Sequence, residues 1–350
     1  MLSIPTSVDE ITSDWLAAAT GLPITSAVAT QIGQGIGVSS AVYRVACEGQ
    51  GCPSSLVVKL PALDPAAVFT STMLRMYIRE VRFFDELASA SPIRVPKAYA
   101  AAVDEESSAF VVVMEDMGGM RFVDQNEGMD LADAEQSVSE LAAWHATWWR
   151  KAEPLAERGT VVSLADPIYP AVLPMVFAEG WEKLTSDFGE IPAAIHRVAP
   201  GWTAAMPGML TQLAEAPATL AHGDYRADNI LFSDDGRVAL LDFQLTGVGS
   251  GVYDLAYFVT QSLAPELAAA SERALFDRYV AALVESGVPE ADVAGLWDNY
   301  RTAALFCLVY PVVACRGMDL DDARQRALIE NMFERFERAV DDLSLADLLG

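Results

Sequence analysis

Apolar and polar positions change period several times along the chain, and each change marks an element. Ser7 and Glu10 have capping-box spacing ahead of a helix-compatible run to Thr20 that closes on Gly21, which predicts an N-terminal helix. From Ile32 to Cys47 a glycine-rich stretch, IGQGIGVSS, leads into the alternating segment AVYRVAC, and Ser55 to Leu60 (SLVVKL) is a second β-branched run. A strand, a glycine turn and two further strands are expected. From Ala66 to Ala90 the period becomes helical, with Met73, Met76, Tyr77, Val81, Phe84 and Leu87 interleaved with Arg75, Arg79, Glu80 and Arg82. Val95–Val103 and Ala109–Met114 then read as two strands joined by the acidic turn DEESS, and Gly118-Gly119 interrupts the chain behind them. A small β-rich lobe over residues 1–117 is expected.

Residues 118–350 turn helical and alanine-rich, beginning with a long helix over Leu131–Arg150 that carries Trp144, Trp148 and Trp149. One segment breaks this pattern: residues 220–243, LAHGDYRADNILFSDDGRVALLDF, read as loop, short strand, Asp-Gly turn and short strand. No internal repeat or low-complexity tract is visible.

Composition narrows the function classes. With 52% hydrophobic and 21% charged residues, the 350-residue chain can bury a sizeable core and is not disordered as a whole. Its formal net charge of −26 argues against a nucleic-acid partner, which needs a basic face. Cys47, Cys52, Cys307 and Cys315 form no Cys-x-x-Cys pair and read as reduced thiols. The N-terminus has neither a basic region nor an apolar run of the secretory kind, and the longest apolar stretch, Thr302–Cys315, is too short for a bilayer and holds Pro311. A soluble cytoplasmic protein without a membrane partner is expected.

The chemistry concentrates at 222–242, where His222, Asp224, Asn229 and Asp242 surround the expected hairpin. Phosphoryl transfer needs a carboxylate to orient the attacking hydroxyl and take its proton, and hard oxygen ligands for magnesium. Asp224 fits the first role, and Asn229 with Asp242 fits the second. The alternative reading is a polar hairpin whose aspartates cap turns. Lys59 adds weight, because the chain has only four lysines and this one sits inside an apolar strand, where its charge needs a partner.

These residues resemble the kinase motifs H-R-D-x-x-x-x-N and D-F-G, here HGDYRADN and DFQ. Gly223 in place of the arginine turns the resemblance toward the aminoglycoside phosphotransferase and choline kinase superfamily, and HGDYRADNILF with LLDFQ is most similar to its ecdysteroid-kinase-like and CHK-type group. The resemblance spans roughly Gln31 to Phe258. It implies an α+β bilobal protein-kinase-like fold, with a five-stranded antiparallel sheet plus helix over 1–117 and a mainly helical lobe over 118–350. It implies ATP and Mg²⁺ as cofactors, Lys59 on the α- and β-phosphates paired with Glu80 (Glu86 as second choice), and a phosphate-covering loop with Gly33, Gly35, Gly37, Ser39 and Ser40. It places a hinge for adenine at FVVVMEDMGG, with Met114 beside the base and backbone atoms of Glu115 and Met117 at its edge.

The same resemblance gives His222 and Asp254, in GVYDLAYF, supporting roles around the loop. Arg226 and Gln244 are candidates for loop support or the acceptor site; Gln244 replaces the glycine of D-F-G and leaves no protein-kinase-style activation loop to phosphorylate. Trp148 or Trp149 would wall the acceptor pocket if not core, and the acidic stretch Gly317–Asp322 would hold an ammonium if not merely solvated. The acceptor implied first is a small amino alcohol (choline, ethanolamine or aminopropanol-like), in keeping with the negative charge. An aminoglycoside follows, then a neutral steroid-like alcohol; outside kinase chemistry, the alternatives are an inactive nucleotide-binding module or a magnesium-dependent hydrolase.

Overall fold

The computed structural model describes residues 3–33 and 39–349. The first part of the chain forms α1 (Ser13–Thr20), β1 (Ser26–Ile32), β2 (Ser40–Glu48), β3 (Ser55–Pro61), α2 (Pro65–Met73), α3 (Met76–Arg82), β4 (Ala98–Val103) and β5 (Phe110–Glu115). Their strands make one antiparallel sheet in the order β1-β2-β3-β5-β4.

The period-two alternation of β3 decides what each face holds. Leu56, Val58 and Leu60 join Ile11, Leu16 and Val45 in an apolar layer under α1, while Val57 faces Tyr77 and Val81 of α3. Lys59 shares the Val57 face. Because β3 is central in the sheet, Lys59 has no edge from which to reach solvent, and it is 5% exposed.

Two expected helices differ in detail. The first starts at Ser13 rather than behind Ser7: Ser7 makes no side-chain cap, Ile11 turns the chain by burying itself against the sheet, and Thr12 Oγ1 caps instead, accepting from Trp15 N at 3.2 Å. Gly21 does close it, at φ 70°. The run from Ala66 to Ala90 is broken between α2 and α3 by Arg75, at φ 56°. The Leu74 carbonyl at this break accepts from Arg79 Nη2 at 2.5 Å, so a buried guanidinium satisfies it. Beyond α3 the helix widens into a π turn at Phe83–Leu87, where Phe83 stacks on Phe243 with ring centroids 3.6 Å apart.

The rest of the chain is mainly helical: β6 (Arg121–Phe122), α4 (Leu131–Trp148), α5 (Glu153–Glu157), β7 (Val162–Ser163), α6 (Ile168–Lys183), α7 (Ala193–Glu215), β8 (Ala218–Ala221), β9 (Ile230–Phe232), β10 (Val238–Leu240), β11 (Gly247–Ser250), α8 (Val252–Ser262), α9 (Pro265–Glu285), α10 (Glu290–Val293), α11 (Leu296–Phe306), α12 (Val309–Ala314) and α13 (Ala323–Asp342). The expected hairpin is β9–β10, turned at Asp235-Gly236, and β6 extends it. A fully buried α8 packs between α11 and α13, which fixes the segment behind 222–242. No helix among the described residues is long and apolar enough to cross a membrane.

Candidate active site

The peptide after β8 is held by a buried carboxylate. Asp254 Oδ2 accepts from His222 N at 2.6 Å, Oδ1 accepts from Gly223 N at 2.8 Å, and His145 Nε2 lies 3.1 Å from Oδ2. Asp254 and His145 are both fully buried, so these bonds are made where water does not compete. Tyr310 Oη donates to the Gly223 carbonyl at 2.6 Å. Gly223 sits at φ 85°, and a Cβ there would lie 2.1 Å from the Leu245 carbonyl oxygen. That close approach is why glycine occupies the position.

His222 is held in one tautomer by its partners. Nε2 is 3.0 Å from the Leu241 carbonyl, which only accepts, so Nε2 donates and Nδ1 accepts from Asp224 N at 3.3 Å. Burial pulls the His222 pKa below the ordinary imidazole value, against the pull of Asp254, Asp224 and Asp242. Since the unfolded chain then binds the proton more readily, His222 contributes stability above about pH 6.5 that is lost as pH falls through its folded pKa. The melting temperature is therefore expected to drop between pH 7 and 5 more steeply for the native chain than for His222→Asn, with Glu80 acting equally in both. Parallel profiles would remove His222 as the cause.

Asp224 projects beside this loop. Asn229 Nδ2 donates to Asp224 Oδ2 at 2.8 Å and to its backbone oxygen at 2.9 Å, which turns the Asn229 carbonyl oxygen the other way. Arg226 Nε lies 3.2 Å from Asp224 Oδ1, while its Nη1 meets Asp228 Oδ2 at 2.6 Å and bonds to Gln125 Oε1. The carboxylates outweigh burial and raise the Arg226 pKa, so it stays a cation.

Asp242 follows β10 at φ 64°, an unusual conformation for a residue with a side chain. Its Oδ1 lies 3.2 Å from Lys59 Nζ, and Lys59 Nζ lies 2.6 Å from Glu80 Oε1. Burial favours neutral lysine, but Asp242 and Glu80 overcome it and raise the Lys59 pKa. Burial opposes the Asp242 charge, yet Lys59 carries its pKa below the usual value. For fully buried Glu80 burial wins and raises it. Glu86, the second choice for this partnership, instead meets Arg158 and Thr160 near the surface.

Gln244 completes the group on the same side. Its Nε2 donates to Glu80 Oε2 at 3.1 Å and to Ser40 Oγ, and its Oε1 accepts from Ser39 Oγ at 2.5 Å. The glutamine in place of a D-F-G glycine thus ties Ser39 and Ser40, at the end of the glycine-rich stretch, to Glu80. Gly35 and Gly37 lie outside the described residues, and Gly33 adopts φ 67° at the turn's start. At the hinge, Met114 is buried against β3; Glu115 pairs with Arg94 at 2.7 Å, and its N–H is taken by Lys97 O at 2.9 Å. The Met117 carbonyl accepts from Met120 N at 2.9 Å.

A cavity of about 240 Å³ opens beside Asp224, Arg226 and Asp242. Trp148 and Trp149 do not line it: buried Trp149 donates to Asp292 Oδ2 at 3.0 Å, and Trp148 packs on the helical core. In the acidic stretch only Gly317 and Met318 reach it, while Asp322 caps α13 and Asp319 accepts from Asp321 N. Tyr253, Tyr257 and Tyr310 do line it. The four-residue spacing of Tyr253 and Tyr257 on α8 signals a shared helix face; Tyr310 carries no comparable sequence signal. The aromatic stack of Phe83, Phe243 and Trp144, which joins the π turn after α3 to the segment after Asp242, was equally invisible in spacing.

Residues 30–285 match the family model described as phosphotransferase enzyme family. No curated protein matches the sequence. The fold is shared with the GDP complex of aminoglycoside 2′-phosphotransferase-IIIa, at 13% identity over 92% of this chain and 95% of that one, with TM-score 0.57. It is shared with amicoumacin kinase in complex with AMP-PNP, Ca²⁺ and Ami, at 15% identity, 88% and 87% coverage and TM-score 0.53. An ethanolamine kinase from Plasmodium vivax aligns at 11% identity, 87% and 81% coverage and TM-score 0.55.

Proposed function

We propose that this chain, which belongs to the phosphotransferase enzyme family, transfers the γ-phosphoryl group of ATP to a hydroxyl of a small molecule with Mg²⁺ as the accompanying cation. The observation that carries the reading is the meeting of the Lys59–Glu80–Asp242 ion cluster with the Asp224–Asn229 pair across one cleft. Residues 1–117 would supply the nucleotide side and 118–350 the base and acceptor side. Solved relatives of the fold hold GDP, and AMP-PNP with Ca²⁺, which supports a nucleotide and a divalent cation here.

In this reading Lys59, kept charged by its two carboxylates, faces the α- and β-phosphates, and adenine lies along Met114, Glu115 and Met117. Gln244 positions Glu80 together with Ser39 and Ser40. Asp224 accepts the acceptor's hydroxyl proton as that oxygen bonds to the γ-phosphorus; the bond to the β–γ bridging oxygen breaks, and ADP leaves with the electron pair. Arg226 lies against Asp224 as a counter-charge, its Nε 3.2 Å from Oδ1. The Asn229 carbonyl and Asp242 carboxylate are hard oxygen donors, a fit for magnesium, which takes few protein ligands and keeps phosphate and water around it. When bound, magnesium draws charge from the phosphate oxygens.

The amino alcohol implied by the sequence would meet aromatic rings in the cavity. Among the described lining residues, its carboxylates are Asp224, Asp242 and the helix-capping Asp64 alone. The reading is tested by incubating the chain with ATP, Mg²⁺ and a panel of amino alcohols, aminoglycosides and neutral alcohols. ADP is expected in step with a product heavier by one phosphoryl group. Free phosphate with no phosphorylated product would make the chain a hydrolase instead.

A further inference from the structure

We infer, on the phosphotransferase reading above, that the acceptor is an uncharged alcohol whose carbon body is apolar, bound with its hydroxyl at Asp224 and its body toward α13. The cavity's walls carry this inference. Away from Asp224 they are built from Leu173, Phe306, Val313, Met318, Leu328 and Met332. An ammonium placed among these side chains loses its hydration and gains no counter-ion.

The charges beside Asp224 are already paired, and the one carboxylate without a counter-charge, exposed Asp64, sits on the α2 side. Asp64 Oδ2 accepts from Ala67 N at 2.8 Å as the cap of α2. Arg316 Nη2 lies 2.5 Å from Glu179, and its Nη1 donates to Thr70 at 3.0 Å. Arg226 is held by Asp224 and Asp228, and Asp242 by Lys59. The tyrosines do not form a cage for a quaternary amine either. Tyr257 and Tyr310 stack on one another with centroids 3.8 Å apart, each covering a face of the other, and the Tyr253 and Tyr310 hydroxyls bond together.

A second observation comes from α2, which covers the cavity with Ala66, Ala67, Thr70 and Ser71. Its outer side carries exposed apolar residues: Phe69 is 47% and Met73 39% exposed, and Leu63 just before the helix is 72% exposed. A helix that only roofed a core would turn polar residues outward. Exposed apolar side chains on the outer side of this roof suit the approach of an apolar molecule from solvent to the walls beneath.

The test uses the full chain with ATP and Mg²⁺, straight-chain primary alcohols from butanol to decanol, and choline, ethanolamine and kanamycin. Product mass is measured for each acceptor, and nucleotide binding is measured separately by calorimetry. The expected result is a kcat/KM that rises about fourfold per methylene until the cavity is full, the increment of burying one CH₂, with the three cations below every long alcohol. Phosphorylation of choline, ethanolamine or kanamycin in preference to the alcohols overturns the inference and leaves the phosphotransferase reading standing. Nucleotide binding with no alcohol phosphorylated does the same. Failure to bind Mg²⁺-ATP at all strikes the underlying reading instead.

Ala314, half-buried on the wall, gives a second check. Ala314→Asp is expected to lower decanol turnover at least tenfold while the nucleotide Kd, which also reports folding, stays unchanged. Ala314→Leu shortens the longest alcohol accepted. A chain-length profile identical in all three proteins overturns the inference.

Discussion

Asp224→Asn is expected to lower kcat by about 10²–10⁴, the range for loss of a positioned proton acceptor, while Mg²⁺-ATP still binds. The substitution keeps the side chain's size and one acceptor oxygen for Asn229, which reaches Asp224 Oδ2 at 2.8 Å, so the loop anchored by Asp254 has no reason to move. What it removes is the negative charge beside the acceptor cavity and the lone pair able to take a proton. Arg226 loses one of two carboxylate partners but keeps Asp228 at 2.6 Å, so the change stays local. Steady-state kinetics with product mass, together with calorimetric nucleotide binding, make the comparison. A variant retaining more than a tenth of native kcat would show that Asp224 does not accept the proton.

Lys59→Met is expected to destabilise the fold by about 3–5 kcal/mol, as breaking a buried ion pair from one side does, and to weaken nucleotide binding. Lys59 is the cation between Glu80 and Asp242, with a side chain 7% exposed against a fully buried Glu80. Removing it leaves buried Glu80 beside Asp242 without its cation, while Asp242 keeps Arg226. Glu80, already raised by burial, would then titrate still further above its unfolded value, so the folded variant binds protons more readily than the unfolded chain. The deficit is accordingly expected to shrink as pH falls from 8 toward 5. Adding Glu80→Gln should recover part of the loss by removing one uncompensated charge. Urea unfolding across that pH range measures both effects; a deficit independent of pH would mean that methionine packing, not the missing charge, sets the cost.

Several parts of this architecture were legible because they are local. The alternation in SLVVKL placed Lys59 in a strand, and the scarcity of lysine made its burial conspicuous. Asp224, Asn229 and Asp242 lie within nineteen positions joined by a short hairpin, so their spacing along the chain nearly fixes their spacing in space. Asp254, on the helix that follows β11, meets the loop through backbone donors, and that helix, α8, is short and wholly buried. The pairing of Lys59 with Glu80 rather than Glu86 was what the family resemblance implied, and in the structure Lys59 Nζ lies 2.6 Å from Glu80 Oε1.

Other features were decided by packing between distant parts. Arg75 breaks a helix that periodicity drew as continuous, and the broken end is stabilised by Arg79 only once that side chain is buried against Tyr169 and Leu245. Gln244 finds its role through Ser39, 205 positions earlier. Trp149 carries an aromatic face that suited a pocket in the sequence, yet its indole N–H is engaged by Asp292 on α10.

What the sequence by itself determined is the polar cluster of the proposed phosphoryl-transfer side, since charged and amide groups stand out against an apolar chain and their motif is short enough to survive as a spacing. The proposed acceptor cavity was decided by tertiary structure alone. Its walls come from α2, α3, α6, α8, α11, α12 and α13, and are made largely of the same leucine, valine, methionine and aromatic side chains that fill the core. An apolar residue reads identically in sequence whether it meets another side chain or a substrate; only the packing of those helices leaves some of them facing a space beside Asp224.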